Sequence, residues 1–242
     1  MKWETIKNCG KICEFYKKLV LNEGKIKTGE FLKDTLREFA KVSTKIFDTT
    51  GDLAFDYKEK QLSSIFLPAF YNLSYGAIQE VPTRRKGRGQ DSSHGWLDYW
   101  VQKEENWVYL IEIKHAWQFL NGEFRKDSME KSKNSINQLK NIRKNEIHNL
   151  SDVKTTYKIS LIILPVWRNI PKGNNIKIED KYPTDIKDLE KTAAKILIEV
   201  KDKISWLGLW STHSRMQEVF SVAHSKSLQT FAGVFLIATL VK

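Results

Sequence analysis

The stretch that decides the fold runs from His94 to Trp117 and reads HGWLDYWVQKEENWVYLIEIKHAW. Two runs rich in aromatic and β-branched residues are separated by a short polar segment, which is the pattern of two strands joined by a turn. The first predicted strand carries Asp98, and the second carries Glu112 and Lys114 near its end. We therefore expect two carboxylates and one ammonium group to meet on adjacent strands.

The spacing of these residues predicts which strand face each of them occupies. Successive side chains of a strand point to opposite faces, so Glu112 and Lys114 share one surface of their strand. By the same rule, Trp96, Asp98 and Trp100 share one face of the preceding strand. If the two strands pair as a hairpin, Asp98 lies beside Glu112.

These residue types suit phosphate chemistry that depends on a metal ion. Carboxylate oxygens bind Mg²⁺ or Mn²⁺, and a bound metal polarises a phosphoryl oxygen and lowers the pKa of its water. The Lys114 ammonium can orient that water or neutralise charge that develops on the phosphate. The alternative is a structural ion pair at a solvated strand end, since Glu-x-Lys triplets often occur by chance.

Asp98, followed fourteen positions later by the triplet from Glu112 to Lys114, resembles the D…(D/E)xK motif of the PD-(D/E)xK nuclease superfamily. Members of this superfamily have the restriction-endonuclease-like fold. The motif is short, Leu97 rather than proline precedes Asp98, and the resemblance covers about residues 53–167. It implies a Mg²⁺- or Mn²⁺-dependent deoxyribonuclease, with Asp98, Glu112 and Lys114 as catalytic residues and the two carboxylates as metal ligands.

The resemblance also implies a third metal-binding carboxylate. The first core helix of the superfamily commonly carries a glutamate, and Glu59 occupies that place here; the alternative is a first-turn glutamate that favours the helix dipole. Glu80, in the next predicted strand, competes for the same role. Gln138 is a further candidate, because superfamily members often place Gln or Lys near the metal site from the second core helix.

Hydrophobic periodicity from residue 53 predicts the order helix, strand, strand, strand, helix, strand. This αβββαβ order is the one that the restriction-endonuclease-like fold requires. We therefore expect an α/β (α+β) protein with a central mixed sheet flanked by helices. The core elements are predicted at residues 54–73, 77–81, 96–101, 107–114, 127–144 and 156–167.

The remaining segments are predicted as additions to this core. We expect an N-terminal helical extension over residues 1–52, and the nuclease-like core with C-terminal additions over residues 53–242, in one compact domain. The additional elements are helices at residues 3–22, 28–47 and 184–203 and strands at residues 206–210 and 231–241.

One cationic segment lies between the first two core strands. It runs from Pro82 to Gly95, reads PTRRKGRGQDSSHG and contains no core-forming residue. We interpret it as a mobile loop that binds nucleic-acid phosphates through charge and backbone N–H groups. The alternative is an ordinary solvated hairpin loop. The basic residues of the segment are Arg84, Arg85, Lys86 and Arg88.

Composition favours a globular protein with a polyanionic partner. The chain has 242 residues, of which 41% are hydrophobic, and a net charge of +11. Its sequence pI is about 9.4. A charge of this size and sign suits DNA. The alternative is a lysine-rich solvated surface without a nucleic-acid partner.

Cysteine usage and hydropathy favour a cytoplasmic protein with no membrane partner. Cys9 and Cys13 have no second cysteine pair or nearby histidines, so we expect buried reduced thiols rather than a disulfide or a zinc site. The N-terminal residues lack the apolar core of a signal peptide. The longest apolar run, Phe231–Val241, is too short to span a bilayer and predicts a buried strand.

The sequence leaves three functions open. The leading interpretation is a metal-dependent DNA endonuclease with a restriction, junction-resolving, repair, phage or mobile-element role. The second is a non-catalytic nucleic-acid-binding protein on the same fold, and the third is a basic protein-interaction module. A homodimer is compatible with the first, because cutting both DNA strands usually takes two active sites.

Overall fold

The computed structural model describes residues 2–19, 23–57, 59–87, 90–142, 153, 155–170, 177, 181–221 and 228–241, without the side chains of residues 84–94 and 220–221. The described part contains the helices α1 (Glu23–Thr50), α2 (Ser63–Tyr71), α3 (Lys126–Lys140) and α4 (Ile186–Val200). Its strands are β1 (Trp3–Ile6), β2 (Gly10–Lys17), β3 (Gly76–Gly87), β4 (Gln90–Glu104), β5 (Trp107–His115), β6 (Gln118–Phe119), β7 (Thr155–Asn169), β8 (Trp206–Thr212), β9 (Val219–Ser221) and β10 (Leu228–Val241).

All ten strands belong to one mixed sheet. The order along it is β1-β2-β8-β10-β7-β5-β4-β3, while the short strands β6 and β9 pair with β7 and β10. Neighbouring strands are antiparallel, except that β7 runs parallel to β5 and to β6. The prediction of a mixed α/β protein with a central mixed sheet flanked by helices is therefore confirmed.

Helices cover both faces of this sheet. Phe39 of α1 and Phe66 of α2 pack on one face together with Tyr109 of β5. The opposite face is covered by α4, which contributes Ile196, and by α3, which contributes Leu139. Strand β7 is buried on both faces over most of its length, as its near-continuous hydrophobicity predicts.

From residue 53 onward the elements follow the predicted order with one subdivision. The predicted helix at residues 54–73 consists of two 3₁₀ turns, Ala54–Asp56 and Glu59–Leu62, followed by α2. The strands β3, β4 and β5, helix α3 and strand β7 come next, with the short strand β6 between β5 and α3. Glu59 therefore lies in a 3₁₀ turn and not in a long helix.

The helix predicted at residues 3–22 is wrong, because β1 and β2 form a hairpin there. Its turn holds Asn8 at φ 62° and Gly10 at φ 108°, and a Cβ atom at Gly10 would collide with the carbonyl of Ser211. Residues that accept left-handed backbone mark a turn rather than a helix interior. Because β2 also pairs with β8, this segment belongs to the central sheet and not to a helical extension. The second predicted helix is present as α1.

The loop predicted from Pro82 to Gly95 is also wrong as a description of the backbone. β3 continues to Gly87 and β4 begins at Gln90, so that most of the segment forms a hairpin ladder. Backbone hydrogen bonds of an antiparallel ladder need no apolar side chains, and a polar hairpin therefore forms without a core of its own. Outside the described residues lie Arg88 and the side chains of Arg84, Arg85 and Lys86.

Two further predictions concern the thiols and the last strand. Cys9 and Cys13 are free and buried, as expected for reduced thiols. Residues 231–241 form most of β10, which is largely buried. In the part of the chain that the structure describes, no helix has the length and apolar character needed to cross a bilayer.

Candidate active site

Four charged side chains meet near the carboxyl-terminal end of β5. Asp98 comes from β4, Glu112 and Lys114 come from β5, and Glu59 comes from the 3₁₀ turn that precedes α2. The antiparallel pairing of β4 with β5 brings Asp98 level with Glu112. The structure thus brings together all four residues that the sequence predicted to be catalytic.

Lys114 lies between three carboxylates. Its Nζ atom donates a hydrogen bond of 2.7 Å to Oε1 of Glu59 and lies 3.8 Å from Oε2 of Glu112 and 3.9 Å from Oδ2 of Asp98. Burial lowers the pKa of Lys114, but the surrounding carboxylates outweigh burial and hold that pKa above its usual value. Lys114 is therefore positively charged at neutral pH.

The carboxylates differ in their exposure to solvent. Glu112 is almost fully buried, with 1% of its surface exposed, whereas 45% of the Glu59 side chain is exposed. A buried carboxylate is costly unless a charge partner and hydrogen-bond donors compensate it. Lys114 supplies that compensation from the same strand, and Glu59 anchors Lys114 from the solvent side.

The backbone of the neighbouring strand holds Asp98 in place. Its Oδ2 atom accepts a hydrogen bond of 2.7 Å from the N–H group of Ile113. Burial raises the pKa of Asp98 above its usual value, against the lowering effects of Lys114 and of the hydrogen bond from Ile113. The Ile113 N–H group and the nearby Lys114 ammonium therefore hold the Asp98 carboxyl group beside the end of β5.

β4 does not alternate regularly at Asp98. Leu97 and Trp100 are three residues apart, yet both pack on the α3 side of the sheet, whereas Tyr99 packs on the α2 side. The alternation that predicted a common face for Trp96, Asp98 and Trp100 therefore does not hold. The strand turns over between residues 97 and 99, at the point where the candidate site begins.

Glu80, the competing candidate for the third carboxylate, lies in β3. It is exposed, and no hydrogen bond or ion pair connects its carboxylate to the described residues of the site. Glu59 instead contacts Lys114 directly. The geometry therefore favours Glu59 over Glu80 as the third acidic residue, and its role as a metal ligand stays a prediction.

A buried polar zone lies between α3 and the sheet beside Glu112. Ser160 of β7 is paired with Glu112 in the parallel ladder, and Gln138 and Ser135 come from α3, which packs on β5 and β7. The Oγ atoms of both serines and Oε1 of Gln138 are buried without a hydrogen-bond partner among the described residues. Of these three residues only Gln138 was predicted from the sequence, although Ser160 is recognisable as a polar residue within an apolar strand.

The donor set fits a hard divalent cation in part. Asp98 and Glu112 supply oxygen atoms at one place, which is what Mg²⁺ or Mn²⁺ prefers. Among the described residues, however, no three His, Cys, Asp or Glu side chains are grouped closely enough to hold a metal ion. The Lys114 ammonium forms ion pairs with Glu59 and with the other two carboxylates.

Comparisons with known proteins add no assignment to this geometry. The chain matches no protein-family model, no curated protein and no solved structure.

Proposed function

We propose that the protein is a metal-dependent DNA endonuclease that hydrolyses phosphodiester bonds at the site of Asp98, Glu112, Lys114 and Glu59. The observation that carries the proposal is the convergence of these four residues from three separate segments of the chain. They are the residues that the D…ExK resemblance selected from the sequence. A structural strand-end ion pair needs only one carboxylate beside the lysine, and here there are three.

The arrangement of the sheet supports the same proposal. Helix α2, strands β3, β4 and β5, helix α3 and strand β7 follow one another in the αβββαβ order of the restriction-endonuclease-like fold. The first three strands are adjacent and antiparallel, and β7 returns parallel to β5 on its other side. We propose that this part of the chain is a restriction-endonuclease-like core, to which β1, β2, α1 and the C-terminal elements are added.

Each residue has a role that its surroundings make possible. Asp98 and Glu112 would hold Mg²⁺ or Mn²⁺, which when bound polarises a phosphoryl oxygen and lowers the pKa of its water. Lys114 is kept charged by its carboxylate neighbours, so it orients the attacking water or stabilises the negative charge of the phosphate. Glu59 restrains the Lys114 ammonium, and the Ile113 N–H group fixes the rotamer of Asp98.

The substrate follows from charge and from the position of the basic hairpin. The net charge of +11 favours a polyanion. The β3–β4 hairpin continues beyond Asp98 into the segment that contains Arg84, Arg85, Lys86 and Arg88. We therefore propose DNA as the partner, bound through phosphates along this hairpin, with a cytoplasmic location and a homodimer as the form that cuts both strands.

A second candidate function has one observation in its favour. Lys114 occupies the centre of the carboxylate cluster, and the described residues contain no three-ligand metal group. A non-catalytic nucleic-acid-binding protein on the same fold would show this arrangement if the cluster only stabilised the end of β5.

Incubation with DNA separates the two candidates. Supercoiled plasmid and a branched DNA are incubated with the protein in Mg²⁺, in Mn²⁺ and in EDTA. The endonuclease proposal predicts nicked or linear products in Mg²⁺ or Mn²⁺ and none in EDTA. Asp202→Asn, which changes an exposed carboxylate away from the site, is the matched control and should cut like the parent. Salt-sensitive DNA binding without products in either metal would favour the second candidate.

A further inference from the structure

We infer that Glu80 is a positioning residue for Asp98 and acts through its backbone conformation rather than through its carboxylate. Glu80 has a φ angle of 53°, in the left-handed region, although it lies within strand β3. Only glycine adopts this region freely, and residues with a Cβ atom are disfavoured there. Such outliers persist where the surrounding structure demands them, and they are frequent at functional sites.

Glu80 lies directly opposite Asp98 in the sheet. The ladder between β3 and β4 pairs Gln79 with Tyr99 and Val81 with Leu97, so that Glu80 and Asp98 hold the intervening positions. The backbone of residues 76–85 is described throughout. Within this range the position of Glu80 and Asp98 is the one where the β3–β4 ladder has no pair. The left-handed residue and the candidate metal ligand therefore share one interruption of the sheet.

At this interruption, the side chains of both strands change from one face of the sheet to the other. Ala77 and Val101 form a pair and pack on the α2 side, whereas Val81 and Leu97 form a pair and pack on the α3 side. Residues four apart on a regular strand share a face. A reversal within four residues on both strands therefore needs an irregular residue between them, and in β3 that residue is Glu80.

The reversal is what directs the Asp98 side chain into the site. The ladder between β4 and β5 ends at the pair of Tyr99 with Ile111. Beyond it, the Ile113 N–H group bonds to the Asp98 carboxylate instead of to the β4 backbone. A regular strand at this level would bring the β4 backbone to Ile113 and point the Asp98 side chain out of the plane of the sheet, where its carboxylate could not accept a hydrogen bond from the Ile113 N–H group. Glu80 is exposed, and no hydrogen bond or ion pair joins its carboxylate to the described residues of the site, so we assign its influence to the backbone.

A graded set of substitutions at Glu80 tests this inference without DNA or metal. Glycine and asparagine, introduced by Glu80→Gly and Glu80→Asn, tolerate the left-handed region. Glu80→Gln keeps the shape of the side chain and removes its charge. Alanine in Glu80→Ala and, more strongly, valine in Glu80→Val are incompatible with the left-handed region. The readout is hydrogen-exchange protection of the Ile113 amide in EDTA, with Asp98→Ala as the reference for a lost bond. We expect Gly, Asn and Gln to keep protection within about threefold, and Val to lower it by about tenfold or more.

The alanine variant keeps the test decisive if Glu80→Val does not fold. Alanine should then lie between the parent and Asp98→Ala, in proteins whose thermal unfolding is cooperative. Equal protection of the Ile113 amide in all folded variants would overturn the inference. Equal loss of Ile113 protection in the Gly, Gln and Ala variants would also overturn the inference, because the Glu80 carboxylate rather than its backbone conformation would then position Asp98.

The consequence for catalysis rests on the proposed function and is measured separately. Cleavage of plasmid DNA in Mg²⁺ should fall at least about tenfold in Glu80→Val and stay within about threefold in Glu80→Gly and Glu80→Gln. A parent protein that protects Ile113 as expected but never cuts DNA would refute the endonuclease proposal and leave the positioning role intact. Cleavage that is lost equally in Glu80→Gln and Glu80→Val would refute the positioning role and leave the endonuclease proposal intact.

Discussion

The two ends of the β4–β5 hairpin carry charged residues in opposite circumstances. At the turn end, the Nζ atom of Lys27 lies 3.3 Å from carboxylate oxygens of Glu23 and of Glu104 and 5.1 Å from the centre of the Trp107 ring. These charged side chains are between 36% and 81% exposed. At the other end, the Glu112 side chain is 2% exposed and the Lys114 side chain 15% exposed, with two more carboxylates beside them.

The difference separates charges that solvate a surface from charges that form a site. Exposed ion pairs contribute about 0–1 kcal/mol each, so the turn end needs no functional explanation. Burying the Glu112 carboxylate beside Lys114 is costly, and replacing buried ion pairs by apolar residues is often neutral or stabilising. A cluster that is costly for the fold, with shifted pKa values and an irregular strand beside it, is typical of a functional site.

The sharpest contrast should come from removing one lysine at each end. Lys114→Ala should lower DNA cleavage by about 10²–10³-fold, because the charge that orients water or stabilises the phosphate is lost. Asp98 and Glu112 remain, so Mn²⁺ binding measured by calorimetry should persist. Lys27→Ala is the matched control at the turn end and should cut DNA at the parent rate. Equal cleavage by both variants would show that the two ends do not differ in function.

The basic part of the β3–β4 hairpin continues from the end that carries Asp98 and should contribute to DNA affinity. Replacing Arg84, Arg85, Lys86 and Arg88 together by alanine should weaken DNA binding and flatten its dependence on salt, since each phosphate contact contributes about 0.9 to the slope of log K against log salt. The measurement is DNA affinity at several salt concentrations. The matched control neutralises Lys187, Lys191, Lys195 and Lys201 on and just after α4. An unchanged slope in the hairpin variant, or an equal change in the control, would make the hairpin an ordinary solvated connection.

The charged residues around Lys114 should also make the stability of the protein depend on pH. The pKa of Asp98 is raised in the folded state, chiefly by burial. Its stabilising contribution is therefore present below the ordinary aspartate pKa and is lost as pH rises through the folded-state value. In EDTA, Asp98→Asn should exceed the parent in free energy of unfolding by about 1 kcal/mol at neutral pH, and the difference should vanish in acid. Urea unfolding at several pH values tests this, and a variant that is less stable than the parent at neutral pH would contradict it.

The smallest effect is expected at the turn end. A double-mutant cycle on Lys27 and Glu104, with each residue changed to alanine, should give a coupling energy of at most about 0.5 kcal/mol. The measurement is urea unfolding of the parent, both single variants and the double variant at low ionic strength. A coupling energy of several kcal/mol would mean that the two ends are energetically alike, and exposure would then be a poor guide to function.

Long, strongly patterned elements were predictable from sequence. Alternation and apolar runs identified β4, β5, β7 and β10, since a buried strand must present hydrophobic side chains to a helix on at least one face. The D…ExK spacing also placed Asp98, Glu112 and Lys114 together, because strand pairing fixes which residues are opposite. Local composition was less reliable at the N-terminus, where an amphipathic appearance concealed the hairpin of β1 and β2.

The remainder of the site depends on features that have no sequence signature in one chain. The left-handed conformation of Glu80 coincides with the point where both paired strands change faces, and glutamate has no preference that reveals it. The hydrogen bond from the Ile113 N–H group to Asp98 lies beyond the last pair of the β4–β5 ladder, which joins Tyr99 to Ile111. The place of Ser160 beside Glu112 requires the register of β5 with β7, which are separated by α3 in the chain.

The proposed metal-dependent cleavage at Asp98 is measured with supercoiled plasmid, which the parent and Asp98→Asn are given while Mg²⁺ is added. The account predicts that the parent produces no nicks in EDTA, and that its cleavage rate rises to a plateau with Mg²⁺. Asp98→Asn should stay near background throughout while remaining folded, because it removes one of the two carboxylates that would hold the metal. Equal cleavage by both proteins would contradict the claim, and so would a parent that never cuts at any Mg²⁺ concentration.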